Sequence, residues 1–170
     1  MCYTANAVAN FFIEKGVENN KPLTHLQIQK MVYFAHAVYF KKHKKPLIVN
    51  PVFAWKYGPV IQDLYSELKD YGDSPIKEKI KDIKITADGS DAVIWTPSIN
   101  PKDTDVIDYL TRAYNSLGSM TGGRLCGISH AEGGAWYKTL TNRKLNPDAK
   151  DLEIPRNLVI LDDVIMACGR

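Results

Sequence analysis

The stretch from Leu23 to Val60 constrains this chain most. Its first part, LTHLQIQKMVYFAHAVYF, has helical periodicity but almost no polar face. Ile28, Met31, Ala35 and Val38 recur at steps of three and four on one side. Leu26, Tyr33, Phe34, Ala37 and Phe40 cover much of the other. A surface helix keeps a polar face, whereas one that is apolar on both sides is normally buried. The spacing therefore predicts a buried central helix over about 25–42, on which other helices pack. Thr24 and Gln27 form a capping-box pattern at its start. Lys41, Lys42, Lys44 and Lys45 complement the dipole at its end, and Pro46 stops it.

The second part of the stretch is Phe53-Ala54-Trp55-Lys56-Tyr57-Gly58-Pro59-Val60. In an extended segment Trp55 and Tyr57 point one way and Lys56 the other. Gly58 permits backbone angles closed to other residues, and Pro59 suits the first position of a new helix. The segment reads as a fixed elbow carrying two large rings. Those rings either plug the core or stand out as anchors for a partner.

Other elements follow in order. Thr4 caps a first helix with Val8, Ala9, Phe12 and Ile13 on its apolar face and Gly16 as its stop. After a polar linker, the central helix and the elbow, a third helix runs from Pro59 to Tyr71, with Gly72 beyond it. Its inward stripe is Val60, Ile61, Leu64, Tyr65 and Leu68. A helical turn is expected over 76–81. Over about 83–95 the period changes to two around Asp88-Gly89, which predicts a small β-hairpin; being marginal alone, it should lean on the helices. Asn100-Pro101 opens a helix in which Val106, Ile107, Leu110, Ala113, Tyr114 and Leu117 repeat at helical spacing up to Gly118. A short helix is expected over 124–130, a polar loop over 142–153, and a last helix from Pro155 with Leu158, Leu161, Val164, Ile165 and Cys168 inward. The expected fold is mainly α: a single compact helical domain, 1–170, around the central helix.

Chemical motifs are weak. His130 and Glu132 echo the H-x-E of zinc deaminases, but no P-C-x-x-C follows. Cys126 and His130 share a helical face without a third orienting residue, so they read as a neutral packing pair. Thr121-Gly122-Gly123-Arg124 lacks the spacing of a phosphate-binding loop. The three cysteines, Cys2, Cys126 and Cys168, contain no CxxC pair and argue against a disulfide framework or zinc ribbon. No catalytic, metal or cofactor site is expected. A net charge of +3 is too mild for an ordinary nucleic-acid footprint, and KKHKK at 41–45 reads as a solvated helix end. No apolar run approaches the ~18–20 residues that span a bilayer, and no leader pattern opens the chain, so a cytoplasmic protein without a membrane partner is expected.

Two motifs carry a resemblance. The central helix with Leu26, Gln29, Lys30, Tyr33, Ala35 and Tyr39, the following Lys45-Pro46-Leu47, and Ala54-Trp55-Lys56-Tyr57-Gly58-Pro59-Val60 before Tyr65 resemble the Panacea domain. This is the family of GepA-like phage-associated proteins and SocA-like antitoxins. Its second signature, Ser/Thr-His-x-Glu followed by Trp, matches Ser129, His130, Glu132 and Trp136, with Ala135 where the family commonly carries Pro. The resemblance implies an antitoxin of a type II toxin–antitoxin pair that neutralises a cognate toxin by direct binding. For SocA-like members it also implies delivery of the toxin to an ATP-dependent protease. The candidate partner-binding or motif residues are Trp55, Lys56, Tyr57, Gly58, Pro59, Ser129, His130, Glu132 and Trp136, with Tyr137 a further possible anchor. Both motifs are expected to adjoin; whether they touch the toxin or hold the fold stays open. The alternative is a phage or mobile-element accessory protein binding DNA or a host regulator.

Overall fold

The computed structural model describes residues 2–86, 89, 91–143 and 152–159. In chain order the elements are α1 (Ala5–Glu18), β1 (Leu23–Thr24), α2 (His25–His43), β2 (Phe53–Trp55), β3 (Gly58–Val60), α3 (Gln62–Leu68), β4 (Pro75–Ile76), β5 (Asp82–Ile85), β6 (Ala92–Trp95), α4 (Thr104–Leu117), α5 (Gly122–Ser129), α6 (Ala135–Arg143) and α7 (Arg156–Val159). The fold is mainly α, with three antiparallel strand pairs: β1–β4, β2–β3 and β5–β6.

Helix α2 is the hub. Ile28, Met31, Val32, Tyr33, Phe34 and Ala35 are completely buried, and α1, α3, α4 and α5 all pack against it. Each large apolar side chain so removed from water contributes about 1.5–3 kcal/mol. Its capping box forms: the Gln27 N–H donates to Thr24 Oγ1, and the Thr24 N–H donates to Gln27 Oε1. Lys44 ends it in the left-handed conformation at φ 56. The apolar wrap is narrower than expected, since Leu26 is exposed and Phe40 half-buried. Polar residues fill part of the buried surface instead. His36 is one: its Nδ1 accepts the backbone N–H groups of Leu47 and Ile48 at 3.3 and 3.4 Å, fastening the segment after the helix. Burial, and then the charge of Arg156, push its pKa down to about 4, which keeps it a neutral acceptor near pH 7.

Several boundaries differ from expectation for local reasons. Helix α1 is capped by Thr4 as expected but runs past Gly16 to Glu18. Gly16 is there for close approach: a Cβ on it would lie 3.0 Å from the Lys21 carbonyl and 3.3 Å from Leu23. No helical turn forms over 76–81; Ile76 is buried as a strand residue opposite Leu23. Asn100-Pro101 does not open α4. Asn100 Oδ1 accepts the Lys102 N–H in an Asx turn, and the N-cap is Asp103, whose carboxylate accepts the Tyr3 hydroxyl. Val106, Leu110, Ala113, Tyr114 and Leu117 point inward as expected, while Ile107 is half-buried.

The β5–β6 hairpin forms with Ile83 opposite Ile94. It does not lean on the helices: Ile83 is 70% and Ile94 66% exposed. It is tethered at its base by polar groups. Asn10, buried on α1, donates to the carbonyls of Ile80 and Pro97 and accepts the Ile80 N–H, and Asn6 donates to Asp82. Asp88 of the expected turn, most of the polar loop over 142–153, and the inward positions Leu161, Val164, Ile165 and Cys168 lie outside the described residues.

Candidate functional site

The third expected helix does not begin at Pro59. Phe53 to Val60 instead folds on itself as the β2–β3 hairpin, pairing Phe53 with Val60, Ala54 with Pro59 and Trp55 with Gly58. Lys56 and Tyr57 are the two residues of its turn. Neither has a positive φ, whereas Gly58 stands at φ +92, the pattern of a tight turn closed by a glycine bulge. Because the chain reverses between them, Trp55 lies in β2 and Tyr57 in the turn, with different exposure. Trp55 is half-buried, its ring 4.9 Å from that of Tyr65. Tyr57 is 67% exposed and Lys56 is exposed beside it.

The backbone of this elbow is pinned by side chains from three helices. From α6, Trp136 Nε1 donates to the Trp55 carbonyl at 2.8 Å. The imidazole of His130, at the end of α5, lies between two carbonyls, with Nδ1 2.7 Å from that of Cys126 and Nε2 3.3 Å from that of Lys56; a neutral ring donates to one of them at a time. Cys126 Sγ donates to the Tyr57 carbonyl at 3.3 Å. From α2, Lys30 Nζ donates to the Pro59 carbonyl at 2.9 Å, and Gln29 both donates to the Ile61 carbonyl and accepts its N–H. Trp136 and His130 also meet ring to ring at 4.0 Å. The bonds to the Pro59 and Ile61 carbonyls are buried, and leaving either unpaired would cost about 1–3 kcal/mol.

Gly58 is the pivot. A Cβ there would fall 2.4 Å from Ser129 Oγ, 2.8 Å from Lys30 Nζ and 3.2 Å from His130 Cε1. Ser129 is 1% exposed and donates to the Cys126 carbonyl at 2.7 Å, so its hydroxyl belongs to the wall of this junction. Lys30 is completely buried, and among the described residues it makes no ion pair. Burial lowers its pKa to about 8.

Of the nine residues singled out in the sequence, eight therefore converge: Trp55, Lys56, Tyr57, Gly58, Pro59, Ser129, His130 and Trp136. Glu132 is exposed and joins none of these hydrogen bonds among the described residues. Gln29 and Lys30, which the sequence offers only as carriers of the resemblance, and Cys126, read only as a packing partner of His130, also belong to this junction. A lysine inside an otherwise apolar helix was the available signal. The Cys126 thiol lies 3.8 Å from His130 Nδ1, but that nitrogen faces the carbonyl of Cys126 more closely. Among the described residues no three His, Cys, Asp or Glu side chains gather where they could hold a metal ion, and no helix is long and apolar enough to cross a membrane.

A helical body presenting one small, pinned hairpin is the architecture that these motifs build. Residues 28–137, which include both motifs, match the family model described as "Antitoxin SocA-like, Panacea domain", and the chain belongs to that family. It is 32% identical over 132 residues to "Antitoxin SocA" of Caulobacter vibrioides (strain NA1000 / CB15N), covering 78% of this chain and 68% of that protein. No solved structure matches. This kinship supports an antitoxin role.

Proposed function

We propose that the chain is the antitoxin of a type II toxin–antitoxin pair, acting over 1–170 as one Panacea-like unit that neutralises its toxin by direct binding in the cytoplasm. The reading rests most on the elbow. Lys56 and Tyr57 stand exposed at the tip of a hairpin whose backbone accepts hydrogen bonds from three side chains outside it, Lys30, Cys126 and Trp136. Ordering flexible groups on binding costs about 0.5–1.5 kcal/mol per side chain, and a turn already fixed avoids much of that cost. Neutralisation at low concentration calls for an interface of roughly 1,200–2,000 Å² with a few aromatic or cationic anchors near its centre. In this proposal Lys56 and Tyr57 are anchors and Trp55 flanks them. Gly58, Pro59, Ser129, His130 and Trp136 are positioning residues that hold the tip, and Glu132 lies at the rim.

The experiment is expression of the neighbouring open reading frame in bacteria with and without this chain, followed by co-purification. Growth arrest relieved by the chain, together with a stable complex, supports the reading. A toxic neighbour that this chain neither relieves nor binds contradicts it. Delivery to an ATP-dependent protease is a separable step, which would shorten the toxin's lifetime in cells making both proteins.

A further inference from the structure

A cavity of about 530 Å³ opens beside the elbow, between α2, the β2–β3 turn and the end of α3. Its size lies within the range of sites that enclose a small ligand or a pair of side chains. Its apolar walls are the rings of Trp55, Tyr57 and Tyr65 with Leu26 and Val60, and its exposed cations are Lys56 and Lys69, the fully buried Lys30 lying behind them in the lining. Asp73 supplies the one carboxylate, so the lining carries an excess of positive charge. His25 also lines it, packed 5.1 Å from the Tyr65 ring; its Nε2 is buried and without a hydrogen-bond partner. Gln29 and Lys30 also line the cavity and belong to the ties that hold the elbow and Ile61, whereas the side chains of Tyr57, Lys56, Lys69, Tyr65 and Leu26 make none of those ties.

We propose that this cavity receives an acidic–aromatic side-chain pair from the toxin, and that it is the specificity pocket of the interface. The carboxylate sits between Lys56 and Lys69, drawn by charge of opposite sign. The neighbouring ring lies against Trp55, Tyr57 and Tyr65, where aromatic pairs gain from edge and offset contacts. Continuity supports a protein occupant: Lys56 and Tyr57 form both the exposed tip and one wall of the cavity, so a segment crossing the tip reaches the recess without leaving the surface. The proposal rests on the antitoxin reading, and its test separates the two.

The probe is N-acetyl-Glu-Phe-amide, titrated to about 10 mM into isotopically labelled protein and followed by NMR, with the Gln-Phe and Lys-Phe analogues as controls. The expected result is movement of the Trp55 indole and the Lys56 and Tyr57 amide signals, with the Glu peptide binding about tenfold more tightly than the Gln peptide. The Lys56→Glu/Lys69→Glu double variant abolishes this, while Lys84→Glu on the distant β5–β6 hairpin leaves it unchanged. Equal binding of the three peptides, shifts confined to other surfaces, or no shifts at all overturn the proposal. The same double variant is then tried against the purified toxin, where about tenfold or greater weakening is expected. A toxin complex indifferent to both substitutions overturns this pocket and leaves the antitoxin reading standing. Peptide binding with no toxin complex removes the toxin as occupant and counts against both.

Discussion

Lys30 carries a charge in a place where charges are costly. Its ammonium is sealed from solvent and gives one proton to the Pro59 carbonyl. Burial lowers its pKa from 10.5 to about 8. Below pH 8 both folded and unfolded chains hold the proton, and the buried charge costs stability. Between about 8 and 10.5 the unfolded chain still binds a proton that the folded chain has released, so stability rises with pH. Urea unfolding from about pH 7.5 to 9.5 is expected to show this rise, and Lys30→Met is expected to flatten it. Parallel curves for the two proteins would contradict the assignment. Tyr3, pushed up to about 12 by burial and its bond to Asp103, works in the opposite direction, but only above pH 10. Gly58 is the second critical residue. Gly58→Ala must hold a side chain at φ +92 and displace the Ser129 hydroxyl, a loss of about 2–4 kcal/mol. Thermal unfolding should fall by about 4 °C or more. A drop under about 1 °C would mean that the elbow relaxes freely.

At the scale of elements, the polar tether is a stronger constraint on β5–β6 than packing. Asn10→Ala removes three hydrogen bonds and strands the groups of Ile80 and Pro97, at a cost of about 3 kcal/mol. Ile83→Thr, on the exposed strand, should change stability by no more than about 0.5 kcal/mol. Denaturant unfolding of both variants measures the contrast, and equal losses would show that the hairpin is held by its apolar face after all. Much of the element plan was legible in advance. The run from Ile28 to Ala37 could only be a buried helix, and Thr24 with Gln27 marked its start. The Ile83–Trp95 hairpin was visible from its period, but not its exposure, because alternation reveals strand spacing and says nothing about what covers it. The elbow reads from sequence as an extended segment with a helix starting at Pro59, because Gly-Pro suits a helical first turn, whereas the structure keeps Pro59 and Val60 in a strand and starts α3 at Gln62. Pairing of Ala54 with Pro59, and the ties from Lys30, Cys126 and Trp136, override that local preference.

The whole molecule brings together two motifs about seventy residues apart. One buried cluster runs from Tyr3 to Val159 and includes residues of α2, α5 and α6, the helices that carry or end at Lys30, His130 and Trp136. That convergence was legible only as a resemblance, since hydrogen bonds from side chains to distant carbonyls leave no periodic trace in a sequence. The antitoxin account makes Tyr57 an anchor with little structural duty. Calorimetric titration of the purified toxin with wild-type protein and with Tyr57→Ala is the most direct measurement. The account predicts an unchanged fold and affinity weakened by about 2 kcal/mol or more, close to thirtyfold. Undiminished affinity in a correctly folded variant would contradict the claim that the elbow is where this protein meets its toxin.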